Sequence, residues 1–588
     1  MSAKQSSEPT YKVTVQRHLP MRTRDGVTLY SDVYRPDAPG KFPALVCRTP
    51  YDKSQELALT EKDYFPPRGY VLVVQDTRGR FSSEGDFYPF VHEALDGYDT
   101  IEWAATLPWS NGVVGTVGQS YLGLVQYYAA PTRPPHLKAM CPVSGPVTYF
   151  QNCVYRRGVF ELGWMLTYFT FMARNTLARK GIYDREGPIL DSYFSRPDIP
   201  LSALKPDEFR HLPLSDWAER LGKGAPYFAD YLKHWKDDGY WTETDLRARC
   251  DTVAAPVLHV GSWYDAFQYD TLAMYTAMRD NAATPEARRG QKLLMGPWAH
   301  LLPYAVPTSR GTGDIDFGPE AKIELHAIQL RWFDQHLKGL ATGILEEPPV
   351  RLFVMGENRW RDESEWPLKR TNYTKVFLHS RGGANSSTGD GSLSLAAPSG
   401  AEAADKYIYD PADPVPTRGG TTLGLPPGVF DQSQIEERKD VLVYTGEPLA
   451  ESLEITGPVS MKLFAASSAP DTDFMAKLID VRPDGYAHNL AEGVVRARFR
   501  ESLSEPTPIA PGKTYEYSID MWATSHVFKR GHRVRLEITS SNFPRYDRNP
   551  NTGNDFGIDT DAELRSARQT IFHAPGSASH LVLPVIAR

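Results

Sequence analysis

The chain has 588 residues, and its composition is that of a folded globular protein. Hydrophobic residues make up 41% and charged residues 23% of the chain, which excludes the low-hydrophobicity, high-charge balance of a disordered chain. The formal net charge is −7 and no long basic run occurs, so we expect no nucleic-acid partner. Because a single hydrophobic core stops growing at roughly 250–300 residues, two or three domains are expected.

Cysteine content and the amino-terminal sequence bear on the compartment. The four cysteines include no Cys-x-x-Cys pair, so neither a zinc site nor a disulfide scaffold is predicted. The first twenty residues lack the apolar core of a signal peptide, and no stretch of about 18 apolar residues could span a bilayer. We therefore expect a soluble, cytoplasmic protein without membrane contact, and leave secretion open because a signal peptide could have been removed.

The amino-terminal region, up to about residue 146, alternates strand-like and helix-like patterns. The segment 92–107 has apolar residues at helical spacing and lies between two strand-like runs, which predicts a βαβ unit and a mainly parallel sheet. Short β-branched runs predict strands buried on both faces at 42–47, 70–75, 112–117, 256–261 and 292–296. The gap before the last two strands indicates that an insertion interrupts the sheet.

Two further regions follow from changes in the pattern. The insertion, 147–249, is rich in aromatic residues at helical spacing and predicts a helical cap, whose apolar surface would face a cleft. A helix predicted at 319–339 closes the sheet domain, which would comprise 1–146 and 250–350. From 351 to 588, short alternating segments separated by Gly, Pro, Asn and Asp turns predict a β-sandwich of the jelly-roll type.

The sharpest motif is Gly118-Gln119-Ser120-Tyr121-Leu122-Gly123, directly after the strand predicted at 112–117 and before a helical pattern. A nucleophile elbow needs this context, because a strand-to-helix turn exposes the serine oxygen while small flanking residues allow close backbone packing. The second glycine lies one position later than in the commonest G-x-S-x-G form. The motif alone therefore leaves an ordinary tight turn open.

A serine hydroxyl becomes a useful nucleophile only with a base in reach and an acid that orients the base. In α/β-hydrolases the chain order is serine, acid, histidine, each at the carboxyl end of a strand. Asp265 follows the predicted strand at 256–261, and His300 follows the one at 292–296. This order predicts Ser120 as nucleophile, His300 as base and Asp265 as orienting acid. The predicted fold class is an α/β-hydrolase fold with a helical cap insertion and a C-terminal all-β jelly-roll domain.

The chain resembles the cocaine-esterase-like hydrolases, which are related to X-Pro dipeptidyl-peptidases and α-amino-acid ester hydrolases. The segments that carry the resemblance run nearly end to end: RTPYDK (48–53), QDTRGRFSSEGDF (75–87), GQSYLG (118–123), WYDAF (263–267), GPWAH (296–300), YDPADPVPT (409–417), DTDFMAKLIDV (471–481) and SSNFPRYDRNPNTG (540–553). The resemblance implies the same triad. It also implies that the Tyr51 hydroxyl and the Tyr121 backbone N–H form the oxyanion hole, and that Trp164 and Phe267 are substrate-binding pocket walls.

The expected activity is that of a serine carboxylesterase, which hydrolyses small-molecule aryl or alkyl esters through an acyl-enzyme and requires no cofactor. A homodimer is left open. The D-x-D at Asp471 and Asp473 lacks EF-hand spacing, so no metal is expected.

Three alternatives stay open. An X-Pro dipeptidyl-peptidase or an α-amino-acid ester hydrolase would need carboxylates to hold a substrate ammonium, and Glu161 is the one candidate near Trp164. A non-catalytic carbohydrate-binding protein is the third alternative, and the complete set of triad residues argues against it.

Overall fold

The computed structural model describes residues 6–55, 61–199, 201–300 and 313–587. Over these residues the chain forms ten α-helices: α1 (Glu93–Thr106), α2 (Tyr121–Ala129), α3 (Leu162–Arg179), α4 (Tyr183–Tyr193), α5 (Pro206–Arg210), α6 (Asp216–Leu221), α7 (Phe228–Lys233), α8 (Gln268–Asn281), α9 (Pro285–Arg289) and α10 (Leu325–Leu337). The helix predicted at 319–339 begins only at Leu325, because a short 3-10 turn occupies Pro319–Ala321.

The first twelve strands belong to the sheet domain and to a small hairpin of the cap. They are β1 (Val13–Arg22), β2 (Thr28–Pro36), β3 (Phe42–Thr49), β4 (Val71–Asp76), β5 (Ser110–Gln119), β6 (Leu137–Val143), β7 (Tyr155–Arg156), β8 (Val159–Phe160), β9 (Val257–Tyr264), β10 (Gln291–Ala299), β11 (Val350–Val354) and β12 (Arg359–Glu363). All five runs predicted as buried strands lie in strands of this set. The hairpin pairs β7 with β8.

The described part of the main sheet has ten strands in the order β1-β2-β4-β3-β5-β6-β9-β10-β11-β12. Neighbours from β4 to β11 are parallel, and antiparallel strands lie at both edges. The parallel strands are apolar on both faces because helices cover both sides. Their carboxyl ends meet at one edge, so the residues that follow β5, β9 and β10 come close together.

The cap lies between β6 and β9, and its longest helix is α3. This helix is almost fully buried, since one side packs on the sheet domain and another meets the C-terminal domain. Gly163 marks the second contact, because a Cβ there would lie 2.9 Å from both Leu425 Cδ1 and the Pro544 carbonyl oxygen. The chain enters the cap through a π-helical turn, Tyr149–Val154.

The remaining strands form the C-terminal all-β domain. They are β13 (Thr371–His379), β14 (Ser392–Ser394), β15 (Asp405–Tyr409), β16 (Leu442–Thr445), β17 (Leu453–Ser467), β18 (Asp473–Val481), β19 (Ala487–Arg496), β20 (Tyr515–Phe528), β21 (Arg533–Thr539), β22 (Ala567–Phe572) and β23 (His580–Ile586). The long strand β17 pairs with β20 on one edge and with β22 and β23 on the other. The hydrophobic core of this domain includes Leu463, Phe474 and Leu536. The predicted fold class is confirmed.

The domain limits stay a proposal. The pairing of one strand bears on the limit between the sheet domain and the β domain. Strand β12 pairs with β11 in the main sheet, so the sheet domain continues past the predicted limit at 350. We therefore propose a limit after Glu363. The sequence of a short strand does not show which sheet it joins, which is why the sequence analysis placed the whole region from 351 in the β-sandwich.

The sheet domain and the β domain are joined beside the end of β9. Gln268, the first residue of α8, donates from Nε2 to the Ala523 carbonyl oxygen (2.8 Å) and accepts from the Ala523 N–H at Oε1 (3.1 Å). Tyr264, the last residue of β9, lies with its hydroxyl 2.9 Å from His488 Nε2. All four residues are buried, so these contacts fix the β domain against the end of a central strand.

We predict that Gln268→Leu destabilises the protein by at least about 2 kcal/mol, since it leaves the N–H and C=O of Ala523 buried without partners. Urea unfolding followed by circular dichroism measures the change. The matched control is Gln434→Leu, at an exposed position of the β domain, which should leave the unfolding midpoint nearly unchanged. Equal midpoints for the two variants would contradict the prediction.

Candidate active site

Ser120 lies in a strained turn between β5 and α2. Its backbone has φ 62° and ψ −124°, a conformation that a non-glycine residue rarely adopts and that the surrounding structure must hold in place. The turn is tight at Gly118, where φ is 143° and a Cβ would lie 2.5 Å from Leu122 Cβ. These features are those of a nucleophile elbow rather than an ordinary turn.

The late second glycine of the motif has a packing role. A Cβ on Gly123 would lie 2.9 Å from the Val143 carbonyl oxygen, and one on Gly145 would lie 2.8 Å from the Leu124 backbone nitrogen. Helix α2 therefore crosses directly against the end of β6, backbone to backbone. The close approach falls at the third residue after Ser120, which explains why the glycine is there and Leu122 takes the usual position.

The structure brings Ser120, His300 and Asp265 into one hydrogen-bonded chain. His300 Nδ1 lies 2.9 Å from Asp265 Oδ1, and His300 Nε2 lies 2.8 Å from Ser120 Oγ. Asp265 Oδ1 also accepts from the Phe267 N–H at 2.9 Å. Asp265 is completely buried and His300 nearly so. With Nδ1–H donating to the carboxylate, Nε2 is free to accept the serine proton.

Tyr51 and the Tyr121 backbone lie on either side of the serine. The Tyr51 hydroxyl is 3.4 Å from that of Tyr168 and within hydrogen-bonding reach of Ser120. Burial raises the pKa of Tyr51 to about 12, against the opposing effect of these hydrogen bonds, so the phenol stays protonated and able to donate. Tyr121 is the first residue of α2, and an N–H in the first turn of a helix has no carbonyl partner within the helix.

Aromatic rings lie beside the histidine that contacts the serine. The Phe267 ring is 5.0 Å from the His300 ring and 6.0 Å from that of Trp164, measured between ring centroids. The structure therefore brings both predicted pocket walls to the same place as the triad.

Sequence reasoning missed one further ring of this wall and one contact of the helix that carries it. The Tyr168 ring packs against that of Trp164 with a centroid distance of 4.4 Å, and its spacing of four residues on α3 was a signal that could have found it. The loop of the β domain at Gly424 and Leu425 packs against α3. No local pattern in the sequence indicates that second contact.

The acidic residue considered for binding a substrate ammonium is already paired. Glu161 is buried, and its Oε1 lies 3.5 Å from Arg545 Nη2; Arg545 also pairs with Glu492. Burial raises the pKa of Glu161, while the charge of Arg545 lowers it. This carboxylate is thus compensated from within the protein.

The D-x-D of the β domain is also neutralised by arginines. Asp473 pairs with Arg496 at 2.8 Å, and Asp471 pairs with Arg498 at 2.7 Å. Across the described ranges, no group of three or more His, Cys, Asp or Glu side chains is arranged to hold a metal ion. Within the same ranges, no helix is both long enough and apolar enough to cross a membrane.

The comparisons with known proteins agree with this architecture. Residues 25–302 match the family described as X-Pro dipeptidyl-peptidase (S15 family), and residues 342–582 match the X-Pro dipeptidyl-peptidase C-terminal non-catalytic domain. The cocaine esterase of Rhodococcus sp. (strain MB1 Bresler) is 41% identical over 98% of this chain and 99% of its own length.

Two solved structures are similar along the whole chain, each at 25% identity. One is an aminopeptidase from a marine-sediment archaeon, Thaumarchaeota archaeon, with a TM-score of 0.84 over 100% of this chain and 99% of that one. The other is an α-amino-acid ester hydrolase, with a TM-score of 0.81 over 100% of this chain and 98% of that one. Since the identity to cocaine esterase extends over both domains, the chain belongs to the cocaine-esterase family of serine hydrolases.

Proposed function

We propose that Ser120, His300 and Asp265 are the catalytic triad of a carboxylesterase that works through an acyl-enzyme. The observation that carries the proposal is the continuous hydrogen-bonded chain from Ser120 Oγ to Asp265 Oδ1. It ends at a serine held in a strained turn, beside an aromatic pocket. Family membership makes the chain a serine ester hydrolase, and the non-catalytic carbohydrate-binding alternative is not retained.

In the acylation step, Ser120 Oγ attacks the ester carbonyl carbon while His300 Nε2 takes the serine proton. Asp265 accepts from His300 Nδ1–H and stabilises the imidazolium that forms. The negative charge on the carbonyl oxygen would be held by the Tyr51 hydroxyl and the Tyr121 N–H, the latter at the positive end of α2. When the tetrahedral intermediate collapses, His300 protonates the leaving alcohol.

Deacylation uses the same groups in reverse. Water enters where the alcohol left, gives a proton to His300 Nε2 and attacks the acyl carbon. Ser120 Oγ recovers its proton from the imidazolium as the carboxylic acid leaves. Every proton in this cycle moves through His300, so the scheme needs no cofactor.

The pocket supports aryl and small alkyl esters as the substrate class. Trp164, Tyr168 and Phe267 offer ring faces and edges for an aromatic acyl group, and the relative with the highest identity given above is named for an ester substrate. An apolar wall discriminates weakly, at roughly 1–3 kcal/mol per methylene. We therefore propose that several related esters are accepted.

Peptidase or α-amino-acid ester hydrolase activity is the second candidate, favoured by the two structural neighbours. Such enzymes must bind a substrate ammonium, which calls for an uncompensated carboxylate at the pocket. Glu161 does not meet this requirement, because Arg545 already pairs with it. Simple esters are therefore the preferred proposal.

We further propose a cytoplasmic homodimer. The four cysteines are free and buried, which agrees with a reducing compartment. Strand β1 is an edge of the main sheet, and Val13 and Val15 on it are 37% and 40% exposed. The exposed valines at the start of this edge strand are suited to pairing with a second copy of the same segment.

The first test replaces the nucleophile. We expect Ser120→Ala to abolish hydrolysis of p-nitrophenyl acetate, butyrate and benzoate, and to abolish labelling by a fluorophosphonate probe. The exposed Ser504→Ala is the control. Turnover by Ser120→Ala near that of the control would refute the triad. Wild-type cleavage of Xaa-Pro anilides, but not of the three esters, would favour the second candidate.

The second test concerns the oxyanion donor. Tyr51→Phe removes one hydroxyl, and we expect kcat for p-nitrophenyl butyrate to fall by roughly 10²–10³, because the donor acts on charge that develops in the transition state. The value of KM should change little. Tyr373→Phe, at an exposed position, is the control. A fall of less than about threefold would remove Tyr51 from the proposed site.

The third test concerns assembly. Light scattering after gel filtration should give twice the chain mass for the wild type, and Val15→Lys should give the single chain mass because charges on both strands would repel. Thr14→Lys, on the opposite face of β1 from Val15, is the comparison. A wild-type protein that elutes at the mass of one chain would exclude the dimer.

A further inference from the structure

Arg80 is a buried cation behind the proposed oxyanion donor. Its side chain, 1% exposed, reaches two segments at once. Nε donates to the Pro50 carbonyl oxygen at 2.9 Å, directly before Tyr51, and Nη1 donates to the Met172 carbonyl oxygen of α3 at 3.0 Å. One planar guanidinium thus connects the loop that carries Tyr51 to the cap helix that carries Tyr168.

No carboxylate of the described residues forms an ion pair with Arg80. Its other contacts are the Thr176 hydroxyl, at 3.3 Å, the Met172 sulfur, at 3.6 Å from Nη2, and the rings of Phe81 and Phe87, at 5.4 and 4.9 Å from the guanidinium carbon. Burying an uncompensated charge is strongly unfavourable, and burial lowers the pKa of Arg80. A neutral donor would make the same contacts to carbonyl oxygens at less cost, so the charge itself calls for an explanation.

The turn around Arg80 is shaped to send this side chain inward. Gly79 has φ 70°, and a Cβ there would lie 2.1 Å from the Phe87 backbone nitrogen. Phe81 also has a positive φ, 40°, and its N–H donates to Asn175 Oδ1 of α3 at 3.2 Å. Two residues in the left-handed region on either side of Arg80 fix the direction of its side chain.

We propose that Arg80 is a positioning residue for ester hydrolysis: it holds Tyr51 against the cap and places a positive charge behind the tyrosine hydroxyl as the oxyanion forms. The inference rests on the proposed function, since it concerns the same site. The Arg80 charge and the Tyr51 hydroxyl would act as a preorganised electrostatic pair, already in place before the reaction begins. The hydroxyl that donates to the oxyanion gains partial negative charge, and a fixed cation nearby stabilises that charge without reorganisation in the transition state.

The electrostatics agree with this geometry. Burial raises the pKa of Tyr51, and the charge of Arg80 acts in the opposite direction. Among the residues that the structure describes, Arg80 reaches this loop by its hydrogen bond to the Pro50 carbonyl oxygen, so its effect on the neighbouring Tyr51 acts through space. A phenol with a lower pKa is the stronger hydrogen-bond donor.

The test is a double-mutant cycle on kcat for p-nitrophenyl butyrate. It uses Arg80→Met, which removes the charge, Tyr51→Phe, and the two changes combined. The control is Arg179→Met. Arg179 joins the same turn to α3 by donating to the carbonyl oxygens of Phe81 and Gly85, but it is exposed and has no hydrogen bond or ion pair with the described part of the Tyr51 loop, residues 50–55.

We expect Arg80→Met to lower kcat at least about tenfold with KM nearly unchanged. In that background, the factor by which Tyr51→Phe lowers kcat should be less than about a tenth of the factor in the wild type, because the two residues act as a unit. Arg179→Met should leave kcat and the effect of Tyr51→Phe as they are in the wild type. An equal effect of Tyr51→Phe in both backgrounds would mean that Arg80 is only structural and would overturn the inference.

A third variant, Arg80→Lys, decides the question if Arg80→Met does not fold. Lysine keeps the charge but has one nitrogen, so it cannot reproduce the fork between the two carbonyl oxygens. We expect kcat to fall about tenfold and the effect of Tyr51→Phe to shrink. Wild-type kinetics of Arg80→Lys would overturn the inference. If Tyr51→Phe leaves kcat unchanged in the otherwise wild-type protein, Tyr51 is not the oxyanion donor. Failure of the proposed oxyanion donor is therefore distinguishable from failure of the inference about Arg80.

Discussion

The backbone of Ser120 is the constraint on which the rest of the site depends. A left-handed residue between a strand and a helix is unfavourable by about 1–3 kcal/mol, and the neighbouring contacts over-determine it. The close approach of α2 to β6 at Gly123 and Gly145 leaves the chain no room to relax. The fold therefore keeps Ser120, the proposed nucleophile, at the edge of the sheet, with its hydroxyl oxygen 2.8 Å from His300 Nε2.

The β domain contributes to the same site although it carries none of the triad. Tyr264 and Gln268 flank Asp265 in sequence, and both are hydrogen-bonded to the β domain, through His488 and Ala523. The acid is thus fixed from both sides by contacts outside its own domain. The β domain also packs on α3 at Gly163, one residue before Trp164, so it supports the helix that carries the aromatic side chains. These contacts give a structural reason for the two domains to occur together.

The sequence was sufficient for features that are local. Buried strands reveal themselves by continuous β-branched runs, and strand-end residues such as Asp265 and His300 can be ordered along the chain from that pattern alone. Features that depend on segments distant in sequence could not be predicted. The contact of Tyr168 with Tyr51 joins residues 117 positions apart, and the bond from Arg80 to Met172 joins residues 92 apart. The domain of β12 depends on the same kind of information, since the strand with which it pairs, and not its own sequence, is the basis for the limit proposed after Glu363.

The pairing of buried charges around the proposed site bears on the choice of substrate, and not on the class of reaction. The triad and the oxyanion donors would serve esters and amides alike, so the groups around them must choose. Glu161 carries the charge needed to hold an ammonium, yet Arg545 reaches it from the β domain. Arg80, by contrast, is a cation that pairs with no carboxylate of the described ranges, and it lies next to the loop of the proposed oxyanion donor. The balance of buried charge thus favours a substrate that brings a developing anion and no amine, which is the electrostatic description of a simple ester.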